Sequence, residues 1–193
     1  MMISETFHCG VFISDYTRYG QAQDARQGSF TGVRIRTEDD GIIPSFGLTN
    51  ENNVPLVVVN NEENMGFYTR SNGEKVSQCE CIVYSDRHDK RKGWMAFLEL
   101  KYCEAKNVYQ NMREGISQLR ATCNYVMKEK REFEASRYKK YLVISTPGVS
   151  PLDPFDASYF DQDFILTVRE ETGAMLRASN CGHVKTSAVV EFE

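Results

Sequence analysis

The sequence predicts an α/β (α+β) protein with a mixed central β-sheet flanked by helices. Three observations carry this expectation. Several apolar runs have strand length, one long stretch has helical spacing, and two of the strand-like runs precede that stretch while another follows it.

The 193 residues suit a single domain, long enough to bury its core without a disulfide or metal staple. Hydrophobic residues at 41% and charged residues at 26% exclude a disordered or fibrous chain. The net charge of −4 means that contact with nucleic acid must come from a local basic patch. No apolar run approaches the roughly 18 residues that span a bilayer, and the first residues do not read as a secretory signal. A cytoplasmic protein without membrane contact is expected. The six cysteines therefore read as buried reduced thiols; only Cys79 and Cys81 are close, with no second pair to complete a zinc site.

The first sixty residues read as β-rich. The spacing predicts strands over 30–37, with Val33 and Ile35 on one face, and over 54–61; a short helix fits 14–28. Residues 76–84 and 94–102 read as neighbouring antiparallel strands joined by a charged loop. Between 105 and 130, Tyr109, Met112, Ile116, Leu119, Cys123 and Val126 form one apolar stripe at helical spacing. Gly115 costs such a helix about 1 kcal/mol, which implies close packing at that turn. Residues 138–146 read as a strand and 147–162 as loop. Residues 164–168 and 174–179 read as a hairpin, and 187–192 as the strand closing the sheet.

The informative chemistry lies on the paired strands. Alternation puts Phe97, Glu99 and Lys101 on one face and Leu98 and Leu100 on the other. On the preceding strand Glu80 shares a face with Ile82, opposite Cys79, Cys81 and Val83. If both polar sets face the same side of the sheet, two carboxylates and an ammonium converge where an unpaired charge would be expensive. Such a pair of acids can hold a hard cation, Mg²⁺ or Mn²⁺, and the lysine can act on a metal-activated water or on a phosphoryl oxygen.

Here the sequence resembles the PD-(D/E)XK nuclease superfamily, whose members carry an acid on one strand, a (D/E)-x-K tripeptide on the next, then a helix and another strand. Glu99-Leu100-Lys101 matches the tripeptide, and Glu80 stands where the first acid falls, although Cys79-Glu80 replaces the family's Pro-Asp and Asp86 is a rival. Gln118-Leu119 matches the Gln-Leu pair that some branches carry on the helix. The resemblance implies a restriction-endonuclease-like core over about 67–146, with an N-terminal β-rich extension over 1–66 and C-terminal strands over 160–193. It implies Glu80, Glu99 and the Leu100 carbonyl as metal ligands, Lys101 and Gln118 as catalytic groups, and Mg²⁺ or Mn²⁺ as cofactor. Asp24 and Glu63 are candidates for the N-terminal acid that the family often adds.

Two basic clusters bear on a substrate. Arg87, Lys90, Arg91 and Lys92 lie in the loop joining the site strands, and Lys128, Lys130, Arg131, Arg137, Lys139 and Lys140 lie in the segment 128–140, from the end of the helix onward. Either can contact phosphates. The expected activity is metal-dependent hydrolysis of DNA, RNA being the lesser candidate. The alternative is an inactive domain of the same fold, binding nucleic acid or protein within a larger assembly. The resemblance also admits a homodimer; nothing in the sequence sets the oligomeric state.

Overall fold

The computed structural model describes residues 2–22, 31–86, 92–129, 137–149 and 161–193. In chain order its elements are β1 (Glu5–Phe7), β2 (Val11–Asp15), α1 (Tyr16–Ala22), β3 (Val33–Arg36), β4 (Phe46–Thr49), β5 (Leu56–Asn60), β6 (Cys81–Ser85), β7 (Gly93–Leu100), α2 (Val108–Glu129), β8 (Tyr138–Ser145), α3 (Gln162–Thr172), β9 (Ala174–Ala178), β10 (Cys181–Thr186) and β11 (Val189–Phe192).

The α+β expectation holds, with one change of architecture. The strands form two mixed sheets: six in the order β1-β5-β6-β7-β8-β9 and five in the order β11-β10-β4-β2-β3. In the larger sheet β5, β6 and β7 are antiparallel neighbours, while β8 and β9 continue it in parallel. Among the described residues α2 and α3 cover one face of it. There Met112, Ile116, Leu119 and Val126 of α2 and Val168 of α3 pack on Ile82, Met95, Phe97, Leu142 and Ile144. The other face is covered by the second sheet, with Val11, Ile13, Phe46, Leu48 and Val184 against Trp94, Leu98, Leu100 and Val143. β5 and β7 are buried on both faces between these layers, which explains their unbroken apolar runs.

The helix of the long stripe runs as expected, except that Val108 is buried and Tyr109 is exposed at its start. Counting back one turn of four residues from Met112 reaches Val108, and a 3-10 turn over Ala105–Asn107 sets that phase. The close packing inferred at Gly115 is present: a Cβ there would run into Ile144 Cδ1 and lie 3.1 Å from Glu99 Cγ.

The expected hairpin at 164–179 is a helix followed by a strand. Asp161 caps α3 by accepting from Phe164 N at 2.6 Å, and Gly173 ends it in the left-handed region at φ 63°. Phe164, Ile165, Val168 and Thr172 turn towards the core at helical spacing, which a five-residue window of apolar residues conceals. The strand after it, β9, lies parallel to β8. The C-terminal strand β11 forms the edge of the second sheet through β10. The cysteines are all free, but only Cys79, Cys81 and Cys123 are buried; Cys103 and Cys181 are half-buried and Cys9 is exposed. Among the described residues no helix is long and apolar enough to cross a membrane.

Candidate active site

β6 and β7 pair with Cys81 opposite Leu98 and Ile82 opposite Phe97. One step further along this register sets Glu80 opposite Glu99, at the beginning of β6 and the end of β7. Alternation along β7 sends Phe97 into the helix-side core and Leu98 and Leu100 into the core between the sheets, so Glu99 and Lys101 face α2. Gly115 of α2 makes room for them: a Cβ there would lie 3.2 Å from Lys101 Cε.

Strict alternation fails on the other strand. Cys79 lies in the helix-side core with Ile82, whereas Cys81 and Val83 lie between the sheets, because the chain bends at Glu80. Backbone and side-chain bonds hold the bend. Cys79 N donates to Thr122 Oγ1 at 2.8 Å, Asn61 Nδ2 donates to Cys79 O at 2.8 Å, and Asn61 N donates to Glu80 O at 3.0 Å. Tyr68 in turn donates to Asn61 Oδ1 at 2.5 Å. The bend turns Cys79 away from Cys81, so these thiols do not form a ligand pair, and burial pushes both up.

The charged groups are closely knit. Lys101 Nζ lies 2.7 Å from Glu99 Oε1 and donates to Gln118 Oε1 at 2.5 Å. Arg18 Nε lies 2.9 Å from Glu80 Oε1 and 3.5 Å from Asp15 Oδ2. Glu99 is wholly buried, and Asp15, Glu80 and Lys101 are each at most 7% exposed. Three carboxylates thus face two cations, an excess of one negative charge where charge is costly. Burial and then the Glu99 charge push Glu80 up to about 8, against the pull of Arg18. Burial likewise raises Asp15 and Glu99. Burial lowers Arg18, but Glu80, Glu99 and Asp15 together outweigh it and hold Arg18 above its ordinary value. Glu99 Oε2 is buried with no hydrogen-bond partner. An orphaned carboxylate oxygen beside a second carboxylate fits a hard cation such as Mg²⁺ or Mn²⁺, with Glu80 and Glu99 as the available oxygen donors.

A cleft of about 450 Å³ adjoins the cluster, with Arg18 and Gln118 in its wall and Lys75, Gln78 and Tyr68 around them. Gln118 links the two, since its Nε2 donates to Gln78 O at 3.4 Å while its Oε1 receives Lys101.

Of the residues expected at the site, Glu80, Glu99, Lys101 and Gln118 come together, and Leu100 places its side chain between the sheets. Asp86 follows the end of β6 away from Glu80, where its N–H donates to Pro55 O. Lys92 precedes β7, about 23 Å along the strand from Glu99 at roughly 3.3 Å per residue. Its loop therefore joins the site strands at their other end; Arg87, Lys90 and Arg91 lie outside the described residues. The N-terminal end of β8, which carries Lys139, is at that end too, since Gly93 pairs with Tyr138. Lys140 is committed to Thr172 O at 3.0 Å. Asp24 lies outside the described residues, and Glu63 accepts from Asn60 Nδ2 at the edge of another cavity. Asp15 and Arg18 are the residues that sequence reasoning missed. Their local signal is a helix cap, since Asp15 Oδ1 accepts from Arg18 N at 2.9 Å, and a cap motif gives no hint of partners sixty residues away. No family model, curated protein or solved structure matches this chain.

Proposed function

We propose that this chain is a Mg²⁺- or Mn²⁺-dependent nuclease that hydrolyses phosphodiester bonds of DNA, with RNA the lesser candidate, at the cluster of Glu80, Glu99, Lys101 and Gln118. The observation that carries the reading is the meeting of Glu80 and Glu99 on adjacent strands beside Lys101, with Glu99 Oε2 buried and undonated. The order β6, β7, α2, β8, with β8 parallel to β7, also supports the resemblance to PD-(D/E)XK nucleases. When bound, the cation supplies Lewis-acid polarisation of the phosphodiester and an acidified water. Glu80 and Glu99 would supply its oxygen ligands from the protein. Lys101, fixed between Glu99 and Gln118, orients the attacking water and offers its charge to the phosphoryl oxygens. Arg18 and Lys75 give the adjoining cleft positive groups for a phosphate.

A second reading rests on Arg18. Its guanidinium joins Asp15 to Glu80, so a positive charge already stands at one of the oxygen donors. In that reading the domain binds nucleic acid or protein without cutting.

The test is incubation of plasmid, single-stranded DNA and RNA with Mg²⁺, Mn²⁺ or EDTA, for wild type and for Lys101→Ala and Glu99→Gln of verified fold. Cleavage that needs the metal and disappears in both variants is expected. Cleavage that survives both overturns the site assignment, and no cleavage by any folded sample favours the second reading.

A further inference from the structure

We propose that the outer face of the second sheet carries a separate zinc site, formed by Cys181 and His183 of β10 and Glu193 beyond β11. Two residues apart on one strand, Cys181 and His183 project from the same face. The residues between and after them, Gly182 and Val184, face the core instead, where Val184 is buried and a Cβ on Gly182 would meet Leu48 and Phe192. β11 pairs antiparallel with β10, Gly182 opposite Phe192, so the next residue, Glu193, comes up beside Cys181 on the outer face. The thiol, an imidazole nitrogen and a carboxylate oxygen all lie within 4.8 Å of one another.

The histidine is oriented for this role. Thr49 on the adjacent parallel strand β4 has its Oγ1 2.7 Å from His183 Nδ1 and donates its own proton to Gly182 O at 3.4 Å. In the tautomer with the ring proton on Nδ1, that oxygen accepts it and Nε2 presents a lone pair. Nε2 lies 3.2 Å from Glu193 Oε1. In that tautomer two acceptors face each other unless a cation lies between them. Tetrahedral zinc, at about 2.3 Å from sulfur and 2.0–2.1 Å from nitrogen or oxygen, sets neighbouring ligand atoms roughly 3.3–3.6 Å apart; the His183–Glu193 separation is close to this, and the thiol lies within 4.8 Å of both. An acceptor on the far nitrogen, usually a carboxylate, a backbone carbonyl or a water, commonly supports a metal-bound imidazole, and the Thr49 hydroxyl stands in that place here. The mixed sulfur, nitrogen and oxygen set selects zinc over the hard cations suited to Glu80 and Glu99. Three protein ligands on an open face leave the fourth position to water.

The test is titration of the reduced, EDTA-treated chain with Co²⁺ as the spectroscopic stand-in for zinc, followed by Zn²⁺ competition. A thiolate-to-cobalt charge-transfer band saturating at one ion per chain, and bleached by Zn²⁺, is expected. It disappears in Cys181→Ser and weakens in the exposed Glu193→Gln. Thr49→Val, which removes only the acceptor that orients the ring, costs about tenfold in affinity. Glu99→Gln leaves the band unchanged, which separates this site from the carboxylate cluster. No band in folded wild type overturns the proposal, as does a band that persists in folded Cys181→Ser.

Discussion

Arg18 Nε stands 2.9 Å from Glu80 Oε1, although Arg18 belongs to the short helix after β2 in the second sheet and Glu80 to the approach to β6 in the first. The pair spans two layers and pins the guanidinium beside the acid through which a cation would be held. Arg18→Ala tests which positive charge the site prefers. In the metal-free protein the loss leaves Glu80 and Asp15 without their cation and costs about 1–3 kcal/mol, less than a fully buried pair because the Arg18 side chain is 38% exposed. Under the nuclease reading Mn²⁺ binds the variant at least as tightly as wild type by calorimetry. If Arg18 replaces the metal, binding appears only in the variant.

Metal-free stability should depend on pH with a definite sign. Glu80 is held up to about 8 in the folded chain against 4.5 ordinarily, so between these values the folded state binds more protons than the unfolded one. Stability is then fully present below about 4.5 and is lost as pH rises through about 8, at a steepest slope of roughly 1.4 kcal/mol per unit. The raised carboxyls of Asp15 and Glu99 act in the same direction. Urea unfolding at a series of pH values in EDTA checks this, and Glu80→Gln should flatten the decline.

Bound cation should reverse that loss. At a Mn²⁺ concentration about a hundred times the dissociation constant, mass action adds about 2.7 kcal/mol, read as a rise of roughly 5–10 °C in Tm for a chain of this size. The rise should be larger at pH 8 than at pH 5, where protons compete for the same oxygens. Glu99→Gln removes an orphaned ligand and should abolish it, as thermal scans with and without Mn²⁺ would reveal.

Gly115→Ala gives a packing test. Alanine improves helix propensity by about 1 kcal/mol, but its Cβ collides with Ile144 and crowds Glu99 Cγ and Lys101 Cε. The net expectation is a loss of about 1–2 kcal/mol, or roughly 3–6 °C in Tm, with activity falling further than stability because the displaced groups are Glu99 and Lys101. An unchanged Tm would show that the turn has slack.

Legibility in the sequence followed the range of the interactions. Glu99 and Lys101 were readable because alternation on one strand sets both on one face, and Gly115 because an interior helical glycine carries a cost that packing must offset. Helix α3 was misread because its apolar residues are few and its informative residues are the caps, Asp161 and Gly173. The side taken by Cys79 depends on a bend held by Asn61 and Thr122, which lie far along the chain in opposite directions. Asp15, Arg18 and the Thr49–His183 contact depend on layers and neighbours that no local pattern encodes.

With Asp15 and Arg18 mounted on one sheet and Glu80, Glu99 and Lys101 on the other, the charge cluster works as a vernier for the slip of one layer over the other. The side chains that set this alignment, Ile13, Leu48, Trp94 and Leu98, belong to the apolar core between the sheets. Trimming one of them would therefore be felt as chemistry. A core substitution that leaves the molecule folded still resets the gap between guanidinium and carboxylate, and with it the readiness of the site to accept a cation.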